Sequence, residues 1–137
     1  MSACVLDTDV VIAALDRGDA HHQHAAVAIT AMIDAGTDLE ISLINYAETL
    51  VRPAQDERTM RAAVDALTAL GVRLVAPTPS IARGAARHRG LNISLADGFA
   101  IATAQARGAS LASFDPRVRR ALPIVGVHLA AELPTAD

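Results

Sequence analysis

The sequence predicts an α/β domain, a parallel sheet with helices packed on both faces. Three observations carry that expectation. Apolar runs of four or five residues alternate with longer segments whose apolar residues recur every three or four positions. Thr, Ser, Asp or Pro open the helical segments and Gly follows them. The first apolar run, Ala3 to Leu6, breaks directly into Asp7-Thr8-Asp9. A carboxylate at the end of a buried parallel strand sits where open α/β sheets bind ligands.

Strand one is Ala3 to Leu6, and a helix follows from about Val10 to Asp16, with Asp9 or Thr8 as its cap. Gly18 and Asp19 break the chain. A second helix, about His21 to Ala35, buries Ala25, Ile29, Met32 and Ile33 and stops at Gly36. Leu39 to Leu43 is strand two, and a short helix through Glu48 to Val51 is closed by Pro53. Asp56 to Leu70 is helical, with Met60, Val64 and Leu67 on one face as core or dimer contacts. Val72 to Ala76 is strand three. Thr78 caps a helix from Pro79 to about His88, ended by Gly90. Ser94-Leu95-Ala96-Asp97 fits a capping box with Asp in place of Glu, and its helix runs to Arg107 and stops at Gly108. Ala109 to Ser113 is strand four, Asp115-Pro116 starts a helical turn, and Ile124 to Val127 is strand five.

The length, 137 residues, suits a single domain over residues 1–137, with a loose tail from about Glu132. The 52% hydrophobic content, with two Phe, one Tyr and no Trp, predicts an aliphatic core. Cys4 is the only cysteine, which excludes an intrachain disulfide and a cysteine-based zinc site. A basic leader and an apolar stretch of about 18 residues are both missing, so a cytoplasmic protein with no membrane partner is expected. A net charge of −3 argues against a protein that coats nucleic acid, though an acidic nuclease with local arginine patches remains compatible. Every basic residue is arginine, which removes any mechanism that needs lysine.

Four acids fall where the topology can gather them. Asp7 follows strand one and Asp115 follows strand four. Glu48 lies just after strand two, and Asp97 sits in the first turn of the helix leading to strand four. Right-handed crossovers bring all strand C-termini to one edge of the sheet. Two carboxylates ~4 Å apart repel by about 4 kcal/mol at an effective dielectric of 20. Four need protonation or a cation, and Mg²⁺ or Mn²⁺ suits an all-oxygen set. Such an ion supports hydrolysis of a phosphodiester by an activated water. Each acid also has a plainer reading: Asp97, Asp115 and Asp9 as helix caps, Glu48 as a solvated helix residue. Asp7 is hardest to explain away, because a charge after a buried apolar run needs a partner.

At Val5-Leu6-Asp7-Thr8, Tyr46-Ala47-Glu48-Thr49-Leu50, Leu95-Ala96-Asp97-Gly98-Phe99-Ala100-Ile101-Ala102-Thr103-Ala104 and Leu111-Ala112-Ser113-Phe114-Asp115 the chain resembles PIN-domain ribonucleases, and within them the VapC-like toxins of toxin–antitoxin pairs. The resemblance implies a three-layer α/β/α fold with a five-stranded sheet in the order 3-2-1-4-5. It implies that Asp7, Glu48, Asp97 and Asp115 hold Mg²⁺ or Mn²⁺ and cleave RNA. It also implies a homodimer and a small antitoxin whose tail blocks the site. Ser113 stands where the family has Thr or Ser and would orient Asp115 or a water; Thr8 would act similarly beside Asp7. Asn45, one helical turn before Glu48, faces either the pocket or the core.

Arg117 and Arg120, just after Asp115, are the candidate RNA phosphate contacts; Arg83, Arg87 and Arg89 read as a solvated helix end. His21, His22 and His24 lack the spacing of a zinc hydrolase. Scarce aromatics argue against a base-stacking platform. Two rivals stand beside the ribonuclease. One is a haloacid dehalogenase-type phosphohydrolase with Asp7 as nucleophile, which the absence of lysine and of a late paired acid disfavours. The other is a PIN-like module that binds without cutting.

Overall fold

The computed structural model describes residues 2–135. Its sheet has four parallel strands, β1 (Ala3–Leu6), β2 (Asp38–Ser42), β3 (Arg73–Val75) and β4 (Ser110–Ala112), in the order β3-β2-β1-β4. Central β1 pairs Val5 with Glu40 on one side and with Leu111 on the other. Its side chains alternate between two cores, as the twofold period of a strand requires. Cys4 and Leu6 face Ile29, Met32 and Leu67 on one side of the sheet, and Val5 faces Ile101, Val118 and Leu122 on the other. This produces the three layers.

One layer is built from α1 (Thr8–Leu15), α2 (His22–Asp34) and α4 (Glu57–Ala69). Ile33, expected in the core, is 44% exposed; Ala28 takes its place, one turn before Met32. Leu67 is buried, while Met60 and Val64 are half-buried. The opposite layer holds α6 (Leu95–Arg107) and α7 (Pro116–Val125), with α5 (Pro79–His88) packed outside α6. The short α3 (Leu43–Thr49) follows β2 at the C-terminal edge of the sheet. Pro53, expected only to end that helix, opens a 3₁₀ turn of its own. A second 3₁₀ turn, Arg89–Leu91, continues past His88 through Gly90, and left-handed Asn92 ends it.

The fifth strand is reduced to one parallel bridge, Leu111 with Leu129. Ile124 and Val125 belong to α7 instead, because Val118, Ala121 and Leu122 at helical spacing bury one face while Ile124 stays 72% exposed. Gly126, at φ 73°, then turns the chain. Leu111 N–H donates to His128 O at 2.9 Å and accepts at its carbonyl from Ala130 N–H at 2.8 Å. The tail is also tied down further than expected: Leu133 is buried in the core, and Arg119 Nη1 donates to Pro134 O at 2.6 Å. Residues 136–137 of the expected loose tail lie outside the described residues.

The approach of α6 to α5 depends on small residues. A Cβ on Gly98 would lie 2.7 Å from the carbonyl oxygen of Ala85. Alanine in a helix interior normally gains roughly 0.5–1 kcal/mol over glycine, but overpacking costs about 1–3 kcal/mol. The clash is with backbone, so it wins. Gly98→Ala is expected to lower stability by about 1–2 kcal/mol in urea denaturation; an unchanged or higher midpoint would show that α5 yields freely.

Candidate active site

Asp7 leaves the C-terminal end of β1 with only 1% exposure. Its backbone N–H continues the ladder to Ala112 O at 2.9 Å, so the carboxylate emerges between β1 and β4. It is Asp7, rather than Asp9 or Thr8, that caps α1: Oδ1 accepts from Thr8 N–H at 2.9 Å. Oδ2 accepts from Ser113 Oγ at 2.8 Å. Ser113 Oγ in turn accepts from the backbone N–H of Asp115 at 3.2 Å, so this hydroxyl links Asp7 to the Asp115 turn and does not touch the Asp115 carboxylate. Asp115 caps α7, with Oδ1 accepting from Arg117 N–H at 2.8 Å.

The other two acids arrive on helices. Ser94 caps α6 by accepting from Asp97 N–H at 3.1 Å, which sets Asp97 in the first turn beside the positive end of the helix. Glu48, near the end of α3, accepts from Thr8 Oγ1 at 2.5 Å. Thr8 therefore gives its backbone N–H to Asp7 and its hydroxyl to Glu48. Asp9, expected at the cap, lies inside α1, and its Oδ2 accepts from Phe114 N–H at 3.0 Å across 105 residues of sequence.

Electrostatics tie the group together. Burial holds the Asp7 carboxyl well above the usual carboxylate range; the charges of Asp9 and Asp97 add to this, and the bonds from Ser113 and Thr8 oppose it. Burial also raises Asp9 to about 6, with Asp115 and Asp97 reinforcing and the Phe114 N–H opposing. Asp97 is raised by burial and by Asp115 and Glu48, against its bonds to Ser94. The four acids read from the sequence, with Asp9 as a fifth, thus share one electrostatic neighbourhood.

The donor set fits a hard divalent ion that keeps much of its water. Every candidate ligand is an oxygen, and two buried oxygens, Asp9 Oδ1 and Asn45 Oδ1, have no hydrogen-bond partner. It is not a closed cage: among the described residues no three acid, His or Cys side chains stand close enough to enclose an ion unaided. Asp7, Asp97, Glu48 and Asp115 are the carboxylates this edge offers to such an ion. Asn45, expected to face either the pocket or the core, is fully buried, and the Thr8 hydroxyl, expected beside Asp7, bonds Glu48. The signal in the sequence was two hydrogen-bonding residues, each within three positions of a candidate acid.

One cavity lies along α7 and another reaches the site. Arg117 and Arg120 line one of about 130 Å³ with Asn92 and Ile124. An open groove of about 740 Å³, mainly apolar, runs between α1, α3 and α4 past Ile12, Leu15, Val51 and Ala63 and reaches Glu48. His21 stacks on Phe114 with ring centroids 4.4 Å apart, and His22 Nδ1 donates to Ala13 O at 2.7 Å; among the described residues neither stands in a group of three His, Cys or acid side chains able to hold an ion. No helix among the described residues is long and apolar enough to cross a membrane.

The PIN domain profile matches residues 4–121. Solved structures share the fold. The VapBC2 complex of Rickettsia felis, bound to a promoter DNA fragment, is 15% identical over 93% of this chain and 96% of that one, with a TM-score of 0.72. VapBC-1 of nontypeable Haemophilus influenzae is 18% identical over 93% and 96%, with a TM-score of 0.69. VapC20 of Mycobacterium tuberculosis, a sarcin-ricin loop cleaving toxin, is 22% identical over 86% and 94%, with a TM-score of 0.67. At these identities the likeness is one of fold. No curated protein matches the chain by sequence.

Because the pKa values of Asp7 and Asp9 are raised by folding, the folded chain holds protons that the unfolded chain releases near pH 4. Stability is then full below that pH and is lost as pH rises through the folded-state values. For Asp9, moving from 3.8 to about 6 corresponds to on the order of 3 kcal/mol. Without divalent ions, Asp7→Asn and Asp9→Asn should therefore melt above the wild type at pH 8 and level with it at pH 4. Variants that melt lower at pH 8 would mean the acids are not in mutual repulsion.

Proposed function

The chain belongs to the PIN domain family, and on that premise we propose that it is a divalent-metal-dependent endoribonuclease acting as the toxin of a toxin–antitoxin pair. The observation that carries this reading is Asp97, whose half-buried carboxylate feels the charges of both Glu48 and Asp115 and in turn acts on Asp7. Such a set is poorly balanced without a cation, and the oxygen donors suit Mg²⁺, with Mn²⁺ able to substitute.

In this reading Asp7, Glu48, Asp97 and Asp115 hold the ion. When bound, it supplies the Lewis acid that polarises a phosphodiester oxygen and acidifies the attacking water. Ser113 keeps Asp7 and the Asp115 turn in register. Asp115 and Asp97 sit at helix starts, where the dipole favours anions, so they remain turned toward the site. Arg117 and Arg120 offer guanidinium groups to a flanking RNA phosphate from their shared cavity. The groove ending at Glu48 suits an apolar segment of the antitoxin, which would reach the acids from one side; several neighbours of the same fold are themselves toxin–antitoxin complexes. A second copy of the chain would cover Leu43, Ile44 and Leu95, exposed apolar residues at the starts of α3 and α6. A cytoplasmic setting suits such a toxin.

The phosphohydrolase alternative has less support. That chemistry calls for a lysine and a late pair of adjacent acids beside the aspartyl nucleophile, and the chain has no lysine and no such pair after its midpoint.

Purified protein with Mn²⁺ is expected to cleave structured RNA, and Asp7→Asn or Asp97→Asn to lower the rate by on the order of 100-fold or more with an unchanged circular dichroism spectrum. Metal-dependent cleavage surviving both changes would overturn the assignment. Separately, Arg117→Ala and Arg120→Ala should each reduce the slope of log affinity for RNA against log salt by about 1. A slope that does not move would remove them from the RNA path.

A further inference from the structure

The structure assigns a role to Asn45 that its place among apolar neighbours in the sequence does not suggest. It is fully buried on α3, facing both α1 and α6. Its Nδ2 donates twice, to Thr8 Oγ1 at 3.0 Å and to Ala96 O at 3.2 Å. Only the nitrogen of an amide can donate, so these two acceptors fix the amide's orientation. That orientation leaves Oδ1 buried with no partner. A side chain needed only to fill space would not carry that cost, since leucine would pack there without an unsatisfied oxygen.

Each of the two bonds ends one residue away from a candidate ligand, on Thr8 beside Asp7 and on Ala96 beside Asp97. Once Thr8 Oγ1 accepts from Asn45, its single proton is directed elsewhere, and it goes to Glu48 Oε1 at 2.5 Å. Asn45 thereby sets the Thr8 hydroxyl, and Thr8 holds Glu48. Ala96 immediately precedes Asp97, so the second bond pins the first turn of α6 where that acid departs. The backbone carbonyl of Asn45 also accepts from Thr49 Oγ1 at 2.9 Å, which stiffens the short α3 that carries Glu48. One buried amide spans the three segments bearing Asp7, Glu48 and Asp97.

We propose that Asn45 is a positioning residue that sets the spacing of Glu48 and Asp97 for a divalent ion, acting on Glu48 through Thr8. This rests on the metal-site reading above. Partners that orient ligands commonly change metal affinity by 10–100-fold when removed.

The test is Mn²⁺ binding to metal-free protein, measured by the electron paramagnetic resonance of free Mn²⁺. Wild type is titrated first; if it binds no Mn²⁺, the metal-site reading falls and this proposal with it. Given wild-type binding, Asn45→Ala and Thr8→Val should each weaken affinity by about 10-fold or more while remaining folded. The double variant should be no weaker than the worse single one, because both act on Glu48 along one path. A loss of stability alone would leave the Mn²⁺ affinity of the folded protein unchanged. Affinities within twofold of wild type, or single effects that simply add, would overturn the assignment. Should the variants not fold, the ¹⁵N-labelled wild type decides: the Asn45 side-chain amide signals should shift on saturation with Mg²⁺, and signals that stay in place would refute the role.

Discussion

A carboxylate set at the C-terminal end of the central strand, out of contact with water, governs the rest of this molecule. Asp7 reaches that position because β1 is flanked on both sides by parallel neighbours and covered on both faces. A buried charge needs hydrogen bonds and a counter-charge. The chain supplies the first through Thr8 and Ser113. It does not supply the second: among the described residues no arginine pairs with Asp7, and the nearest charges are those of Asp9 and Asp97.

The contrast with Glu40 shows that this is a local choice. Glu40 is equally buried, in β2 and directly beside Val5. There the fold brings Arg107 from the end of α6 to meet it, with both guanidinium contacts in place, at 3.0 and 2.6 Å. The same helix thus begins among acids without a cation and ends on an acid neutralised by one. Of the chain's twelve arginines, Arg117 stands 3.9 Å from Asp115 and Arg119 donates to the Ser113 carbonyl at 2.7 Å, but among the described residues none pairs with Asp7, Glu48 or Asp97. An edge held short of positive charge is one suited to receive it from outside.

Most of the acids also serve the scaffold. Asp7 and Asp115 cap helices, Asp97 lies in a first turn, and Asp9 ties the Phe114 turn to α1. The choice between cap and ligand posed by the sequence is therefore not exclusive. A cap uses one carboxylate oxygen and fixes the direction of the other, which is a means of orienting a ligand without adding a residue. The same economy explains why small side chains line the approach of α5 to α6: Gly98 directly follows Asp97, and the closeness it permits sets where that acid stands.

The alternation of strands and helices, the caps at Thr78, Ser94 and Asp115, and the stop at Gly108 are legible in the sequence because they depend on neighbours within about four residues. The placing of the acids follows a related rule: Asp7, Asp97 and Asp115 lie at a strand exit or a helix start, Glu48 lies on the short helix that follows β2, and parallel topology sends all such places to one edge. Where the reading failed, contacts distant in sequence decided. Ile124 and Val125 have strand chemistry, yet Val118, Ala121 and Leu122, packed in one core with Val5, Ile101 and Leu111, draw them into a helix. Thr8 adjoins Asp7 in sequence but gives its hydroxyl to Glu48, forty residues away, because Asn45 occupies its acceptor side. Local chemistry thus determined which residues could carry charge and where the helices begin; only the folded chain determined which hydroxyl and which amide hold each charge, since a hydrogen bond depends on distance in space, which sequence spacing does not encode.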